Sequence, residues 1–353
     1  MKRPFLLASL LLLLALVATS AWSFYRRVGA GEGMTAQAGK FLDTLSADQK
    51  KIAILPYESE ARVGWHFIPF FDKDGKPGRK GLQVRNMDEG QRKAAQEVLR
   101  SALSEVGYGK ATKIMAMEAL LKELEKGVQG GQIRDTERYY FTVFGTPTPD
   151  GKWGLSVEGH HLSLNFVVDK GHVVSSTPTA FAANPATVMK EVIPAFPKGT
   201  RILKGEEQLA FDLLASLTPE QKKIVIVDEK PMEEVRNAGK PQPETGGPAG
   251  IAAAKLTSDQ VKVLRSLLAE YASNMPADVA EERLAAIDKA GFEKVTFVWM
   301  GAEKPGIGHS YRVEGPTFQI EFVNRQKDAA GNEANHIHCL WRDVRGDFAI
   351  PAK

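Results

Sequence analysis

The chain has 353 residues, and its 43% hydrophobic and 25% charged residues exclude a disordered chain and permit one large domain or two ordinary ones. The formal net charge is only +3, and basic residues are interleaved with acidic ones, so a nucleic-acid surface is not expected. Cys339 is the single cysteine. An internal disulfide is therefore excluded, and stability must come from the core or from a ligand.

The amino terminus has the pattern of an export signal. Lys2 and Arg3 precede an apolar run from Phe5 to Val17, and small residues follow up to Ala21. We expect a signal peptide over residues 1–21, a linker over 22–40, and an exported chain, periplasmic or extracellular. The run is short for a membrane span, but an uncleaved anchor is the alternative and would provide the only membrane contact.

Three segments share one helix-start pattern, in which a hydroxyl residue is followed by an acid and then by Gln at the third position. They begin at Ser46, Thr218 and Thr257. In such a capping box the hydroxyl accepts from a free backbone N–H, and the Gln side chain reaches back to the cap. The uneven spacing of the three segments argues against a solenoid.

Hydrophobic periodicity predicts the remaining elements. Helices are expected at about 34–55, 88–105, 111–126, 205–215, 259–273 and 277–290. Strands are expected at about 139–144, 153–158, 160–168, 172–177, 294–299, 309–313, 317–322 and 335–341. Turn residues at Gly159, Lys170-Gly171 and Gly315-Pro316 join several of these strands as hairpins.

Helices grouped around hairpin-linked strands are typical of an α+β fold with an antiparallel or mixed β-sheet. We expect a single domain over residues 41–353, with an exposed Gly/Pro-rich loop at 236–250. Dinucleotide and phosphate-loop fingerprints, which would favour a doubly wound fold, are absent from the sequence.

The segment from Asn335 to Asp343 contains two histidines one residue apart. If it is a strand, alternation sends His336, His338 and Arg342 to one face and an apolar series with Cys339 to the other. The cysteine is then a small buried residue rather than a nucleophile.

The same alternation adds polar residues from three other strands. His161 and Asn165 lie opposite the apolar series of their strand, Glu321 lies opposite that of 317–322, and Arg312 adds a cation. If these strands are neighbours, all of these side chains line one surface with His336 and His338.

Imidazole and carboxylate are ligand types that zinc, copper or iron accept. His161, His336 and His338 are the candidate metal ligands, and His66 is either a further ligand or part of an aromatic cluster. Glu321 is a candidate ligand or general base, and Asn165 is a candidate orienting group. Arg342 and Arg312 are candidates for binding a substrate carboxylate.

A simpler interpretation is that these histidines only form hydrogen bonds, as strand histidines often do. For His160 we expect a buried ring bonded to backbone, and for His172 and His309 a solvated position near turns. The common hydrolase, metalloprotease and redox motifs, Gly-x-Ser-x-Gly, His-Glu-x-x-His and Cys-x-x-Cys, do not occur.

Several motifs resemble a bacterial family catalogued as domain of unknown function thirty-five hundred. They are Gly64-Trp65-His66-Phe67-Ile68-Pro69, Tyr140–Gly145, Gly159–Phe166, Tyr311–Pro316 and Ala334–His338 with Trp341-Arg342-Asp343. The resemblance covers nearly all of the chain after the signal and implies one family-length domain in an exported protein. Asn324-Arg325-Gln326 stands where the family tends to show Asn-Thr-Gln. The resemblance implies no reaction.

Two functions are therefore expected as alternatives. The first is an exported metal-dependent enzyme acting on a small polar substrate at the histidine-rich site. The second is an exported binding protein without catalysis, whose same face holds a sugar or a carboxylate by hydrogen bonds.

Overall fold

The computed structural model describes residues 29–70, 78–127, 131–247 and 250–352. The expected signal peptide, residues 1–21, lies outside this part of the chain. Among the described helices, none is both long enough and apolar enough to span a membrane.

The described ranges contain eight α-helices and thirteen strands in one mixed, mostly antiparallel open sheet, so the predicted α+β class is confirmed. The helices are α1 (Ala30–Thr44), α2 (Ala47–Ala53), α3 (Glu89–Ala102), α4 (Glu105–Leu124), α5 (Lys204–Ser216), α6 (Pro219–Val225), α7 (Ser258–Ala272) and α8 (Ala277–Gly291). The strands are β1 (Ile54–Leu55), β2 (Leu82–Gln83), β3 (Tyr140–Phe144), β4 (Lys152–Gly159), β5 (Leu162–Asp169), β6 (His172–Ser175), β7 (Thr179–Ala183), β8 (Ile226–Asp228), β9 (Ile251–Ala252), β10 (Thr296–Gly301), β11 (His309–Gly315), β12 (Phe318–Asn324) and β13 (Ile337–Arg342).

The sheet consists of two halves with the same internal order. Its main path is β1-β3-β4-β5-β7-β13-β12-β11-β10-β8, with β7 and β13 antiparallel at the centre. In each half a two- or three-residue strand, β1 or β8, runs parallel to the first strand of a three-stranded antiparallel run. A further short strand, β2 or β9, pairs antiparallel with that same first strand.

The helices repeat in the same way, so the chain contains one structural unit twice. The order of α1 and α2, two short strands, α3 and α4, and then β3 to β5 recurs as α5 and α6, two short strands, α7 and α8, and β10 to β12. The duplicated helix α3 packs on α1, and α7 packs on α5. The rejection of a solenoid agrees with this arrangement, but the repeat itself was not predicted.

Capping boxes mark equivalent helix starts in the two units. Those at Ser46 and Thr218 begin α2 and α6, and the one at Thr257 begins α7. The equivalent start of α3 has a fourth box, with Asp88 as the cap in place of a hydroxyl residue. In each unit the two box glutamines also bond to one another, which ties the short helix to the longer one.

Both faces of the sheet are covered, including the polar face that alternation predicted. On the helix-side face, which carries Ile337, Cys339 and Trp341, the sheet packs against the helices in the main core. The opposite face, here called the loop-side face, carries His338, Leu340 and Arg342. It is covered by the long segments β1–β2 and β8–β9, and a small apolar cluster forms beneath them.

Two expectations about the chain are corrected. From residue 30 onward the expected linker is the helix α1, whose Met34, Ala38 and Phe41 are buried in the main core. The loop expected to be exposed at 236–250 is partly buried within the second unit. It also contacts the first unit's loop, where the indole N–H of Trp65 donates to the Lys240 carbonyl at 2.8 Å.

Candidate metal centre

Three of the seven histidines converge on the loop-side face of the sheet. The Nε2 atom of His336 lies 2.8 Å from Nε2 of His161 and 3.1 Å from Nε2 of His338. The candidate ligand atoms of the three rings all lie within 4.8 Å of one another. The group could therefore hold a metal ion, as the sequence predicted for these three residues.

His161 is delivered by the tight turn between β4 and β5, not by the strand itself. Its backbone has a φ of 64°, a conformation that is uncommon for a residue other than glycine. Two bonds hold it there: the His161 N–H donates to the Phe67 carbonyl at 2.7 Å, and the His161 carbonyl accepts from Ala182 at 2.9 Å. The ring is thus aimed at the centre by backbone contacts from both a loop and β7.

His336 lies immediately before β13 and is positioned by its backbone. Its N–H donates to the side-chain carbonyl of Asn324 at 3.0 Å. The amide of Asn324 in turn donates to Glu207 at 2.8 Å, deep in the core. Asn324, which agrees with the family motif Asn-Thr-Gln, therefore has a structural role next to the centre.

His338 is inside β13 and has a carboxylate partner that the sequence analysis missed. Its Nδ1 lies 2.7 Å from Oε2 of Glu234 and 2.9 Å from Oε1. Because a carboxylate accepts the Nδ1 hydrogen, Nε2 of this ring is left with its lone pair toward the other histidines. Glu234 comes from the irregular β8–β9 segment, where no periodicity marks a residue's direction.

Burial favours the neutral form, which metals bind, for two of the three rings. Burial lowers the pKa of both His161 and His336 well below the ordinary value of 6.5, and the neighbouring histidines add to this effect. One hydrogen on His336 Nε2 could serve only one of its two close neighbours. A shared cation would satisfy all three nitrogens at once.

The spacing suits a small transition metal. Ligand nitrogens at about 2.0–2.1 Å from a tetrahedral ion are about 3.3 Å apart. The two distances from His336, 2.8 and 3.1 Å, are close to this value, while the third pair, His161 and His338, lies within 4.8 Å and would adjust around an ion. Three protein ligands leave one tetrahedral position open, the arrangement found in catalytic rather than structural zinc sites.

His66 is not part of this group, so its assignment as a metal ligand is corrected. Its Nδ1 accepts the backbone N–H groups of Phe67 at 3.0 Å and Ile68 at 3.2 Å, and the ring contacts Phe70. Burial, together with the charge of Arg79, lowers its pKa to about 4. Of the two alternatives for His66, the aromatic cluster is therefore the one supported. The hydrogen bonds of His66 fix the conformation of the loop in which the Phe67 carbonyl accepts from the His161 N–H.

Glu321 is also not in the group. It lies on the loop-side face of β12, but its carboxylate binds the backbone N–H and the guanidinium of Arg236. The strand neighbour Arg312 is bonded to the Gly246 carbonyl and to Glu314, both at 3.2 Å. The loop that carries Glu234 thus neutralises the acid that the sequence proposed as ligand or base.

Arg342 is fully buried and each of its three guanidinium nitrogens donates to a protein oxygen. Nε binds Asp347 at 2.6 Å, while Nη1 and Nη2 bind the carbonyls of Asn237 at 3.1 Å and Lys240 at 2.8 Å. The role expected for Arg342 in substrate binding or catalysis is therefore corrected to a structural one. Arg342 forms its ion pair with Asp347, while the adjacent Asp343 pairs with Arg345.

Asn165 is held away from the centre. It is four residues along β5 from His161, roughly 13 Å at the rise of a strand. Its amide donates to Ser163 at 3.2 Å and to the Pro178 carbonyl at 3.0 Å, while Oδ1 is buried without a hydrogen-bond partner among the described residues. An orienting role at the metal centre is not supported by this position.

The other histidines divide as follows. His172 is exposed as expected, whereas His309 is fully buried and stacks on Trp299, so the solvated position expected for it is wrong. His160 is buried as expected, but its Nδ1 partner is a side chain, the Glu118 carboxyl at 2.5 Å. Its ring lies against that of His161, with centroids 3.6 Å apart.

The fold and this centre together define an α+β protein with a buried three-histidine group that could hold a metal ion. Residues 29–350 match the family described as Protein of unknown function (DUF3500), and the chain belongs to that family, which confirms the resemblance seen in the motifs. All three histidines lie inside the matched range. No curated protein and no solved structure matches the chain.

Glu118 generates a pH prediction. Burial raises the pKa of Glu118 to about 8, so the folded chain keeps this carboxyl protonated up to about that pH, whereas in the unfolded chain it ionises near 4.5. Stability should therefore fall as pH rises from about 4.5 to 8, and Glu118→Gln should remove this fall. At about 1.4 kcal/mol per pKa unit, the advantage of the variant should grow by up to roughly 4 kcal/mol across that window.

Urea unfolding at several pH values, with chelator present throughout, measures this difference. Glu97→Gln on the exposed side of α3 is the matched control and should show no such trend. A Glu118→Gln variant whose stability relative to wild type is the same at pH 5 and pH 8 would contradict the assignment.

Proposed function

We propose that this protein is a metal-dependent enzyme that acts on a small polar substrate, with His161, His336 and His338 as the metal ligands. The observation that carries the proposal is the convergence of three Nε2 atoms from two backbone segments, the β4–β5 turn and the start of β13. Zinc, copper and iron all accept such a ligand set. A bound ion of this kind would polarise a substrate oxygen or activate a water.

The surroundings of the ligands support a functional metal rather than accidental crowding. Metal-binding histidines usually donate their other ring nitrogen to a carboxylate or a carbonyl, which fixes the tautomer and raises the basicity of the ligand. Glu234 provides this contact for His338. Structural metal sites usually have a fourth protein ligand. The described residues provide no fourth ligand here.

A cleft beside Glu234 is the proposed substrate site; its wall contains charged side chains, and none of the three histidines is among its lining residues. It has a volume of about 520 Å³ and is lined by Met232, Glu234, Arg236, Gly246, Met300 and Arg312, among others. Arg312, which the sequence proposed as a substrate-binding residue, is in this wall. Its guanidinium is already bonded to Glu314. The cleft therefore presents both positive and negative side chains to a substrate, rather than positive charge alone.

The second candidate, a binding protein without catalysis, has less support. Its carboxylate version relied on Arg342, whose donors are committed to Asp347 and two carbonyls. We also infer that the protein is exported, on the strength of the signal pattern before residue 22. Its expected partner is a small molecule, and a membrane contact follows only if that segment is retained.

Removing one ligand tests the metal directly. We expect elemental analysis to find one metal ion per wild-type chain and to find none in His336→Ala, both tested as the full chain without a histidine tag. The variant should also lose the stabilisation that metal gives by mass action, about 2.7 kcal/mol at a free metal concentration of about 100 times Kd. Chelator should lower the melting temperature of wild type and leave that of His336→Ala unchanged.

His172→Ala is the matched control, because His172 is an exposed histidine outside the centre. It should keep both the metal and the response to chelator. A wild type that retains no metal and gains no stability from zinc, copper or iron would leave the non-catalytic alternative as the better account.

The carboxylate partner of His338 provides an independent test. Glu234→Ala should keep the three ligands but weaken metal binding by about 10- to 100-fold, the usual effect of losing such a partner. Competition with a chromophoric chelator measures the affinity. Glu233→Ala is the control, since this adjacent side chain is 87% exposed and binds Arg325 instead. Equal affinities in the two variants would contradict the role given to Glu234.

A further inference from the structure

A second cavity lies on the helix-side face, at the opposite end of β13 from the histidines. It has a volume of about 240 Å³ and is enclosed between α8, the end of β6 and the β11–β12 turn. One part of its wall is apolar and includes Val173, Val279, Phe318 and Trp341, and the rest is polar and includes the cations Arg283 and Arg345.

Arg283 lies in the wall of this cavity, and only one of its three guanidinium nitrogens is hydrogen-bonded to the described residues. Its Nη2 donates to the Ser176 carbonyl and hydroxyl, both at 2.7 Å, and to Thr179 at 3.3 Å. Its guanidinium lies 4.9 Å from the centre of the Trp341 ring. Among the described residues, its Nε and Nη1 have no hydrogen-bond partner, and no carboxylate lies within ion-pair distance of it.

Leaving a guanidinium in this state costs free energy. The Arg283 side chain is half-buried. Desolvation by the surrounding protein lowers the pKa of Arg283 to about 10, against its ordinary value of 12.5, and the charges of Asp343 and Asp347 offset only part of this effect. Buried charges are normally paired or hydrogen-bonded. Hydrogen bonds from Nη2 hold the guanidinium of Arg283 in place. The edge formed by Nε and Nη1 is then available to bind an anion in the cavity.

In the duplicated fold, the turn that borders this cavity corresponds to the turn that carries His161 at the metal centre. The β4–β5 turn, between paired Gly159 and Leu162, carries His161, and the matching β11–β12 turn, between paired Gly315 and Phe318, carries Thr317. The two halves thus place a side chain with ligand-binding chemistry at the same turn. Trp341 points to the helix side while His338 points to the loop side, so the two sites are separate.

We infer that this cavity binds a small organic carboxylate, with Nε and Nη1 of Arg283 holding its two oxygens and the apolar wall holding its body. The planar edge of a guanidinium matches a carboxylate in a bidentate geometry. The carboxylates of Glu282 and Asp343 also line the cavity, which disfavours a doubly charged phosphate. Asp343 is itself bonded to Arg345 at 2.6 Å, and Thr317 adds a hydroxyl.

Titration of the full chain with benzoate, followed by calorimetry or ligand-observed NMR, tests this inference. Binding should be saturable with one site and should persist in the His336→Ala variant with chelator present, which separates it from the metal centre and from the proposed function. Arg283→Lys, which keeps the charge but not the planar edge, should weaken binding by about tenfold or more. Thr317→Val should weaken it less.

Lys289→Met, an exposed change on the same helix, is the control and should bind benzoate as wild type does. If Arg283→Lys is too unstable to study, the Thr317→Val variant tests the inference instead. An affinity for benzoate unchanged by Thr317→Val would overturn the inference, and so would titration of wild type without saturation. Tighter binding of inorganic phosphate than of benzoate would overturn it as well, because it would identify a general oxyanion site.

Discussion

The pairing of β7 between β5 and β13 is the constraint on which the metal centre depends. Phe181 of β7 is opposite Leu162 on one side and opposite Cys339 on the other, so three strands are fixed in one register. That register brings the turn before Leu162 to the same end of the sheet as the residues before Cys339. A slip of one residue in β7 would turn side chains to the wrong face and separate His161 from His336.

The loops on the other face convert this proximity into a defined site. Phe67 holds the backbone of His161 through its carbonyl, and its ring contacts His338 at 4.9 Å between centroids. Glu234, from the equivalent loop of the second unit, fixes the tautomer of His338. The same loops pair Arg236 with Glu321 and supply the carbonyls that bind Arg342. The loops on this face therefore position the histidines to bind a ligand. They also hydrogen-bond the nearby charged groups of Glu321 and Arg342, so these two side chains are not free to bind one.

Local pattern was sufficient to predict most of this fold. All eight predicted strands exist, and the facing of His338 and Glu321 against the apolar series of their strands is correct, because alternation is a property of the backbone. The strand β7, Thr-Ala-Phe-Ala-Ala, was missed because alanine has little strand preference, and its place is decided by its two neighbours. The two-residue strands carry no periodicity at all. The partners of Arg342, Glu321 and His66 come from irregular loops distant in sequence, which alternation cannot predict.

The central claim is that three imidazoles share one metal ion, and X-ray absorption spectroscopy of the zinc-loaded full chain tests it most directly. The account predicts a first shell of nitrogen or oxygen at about 2.0 Å, with outer-shell scattering from three imidazole rings. A zinc ion with no imidazole scattering, or with a single ring, would contradict it, since the three Nε2 atoms would then be close neighbours without a common ligand.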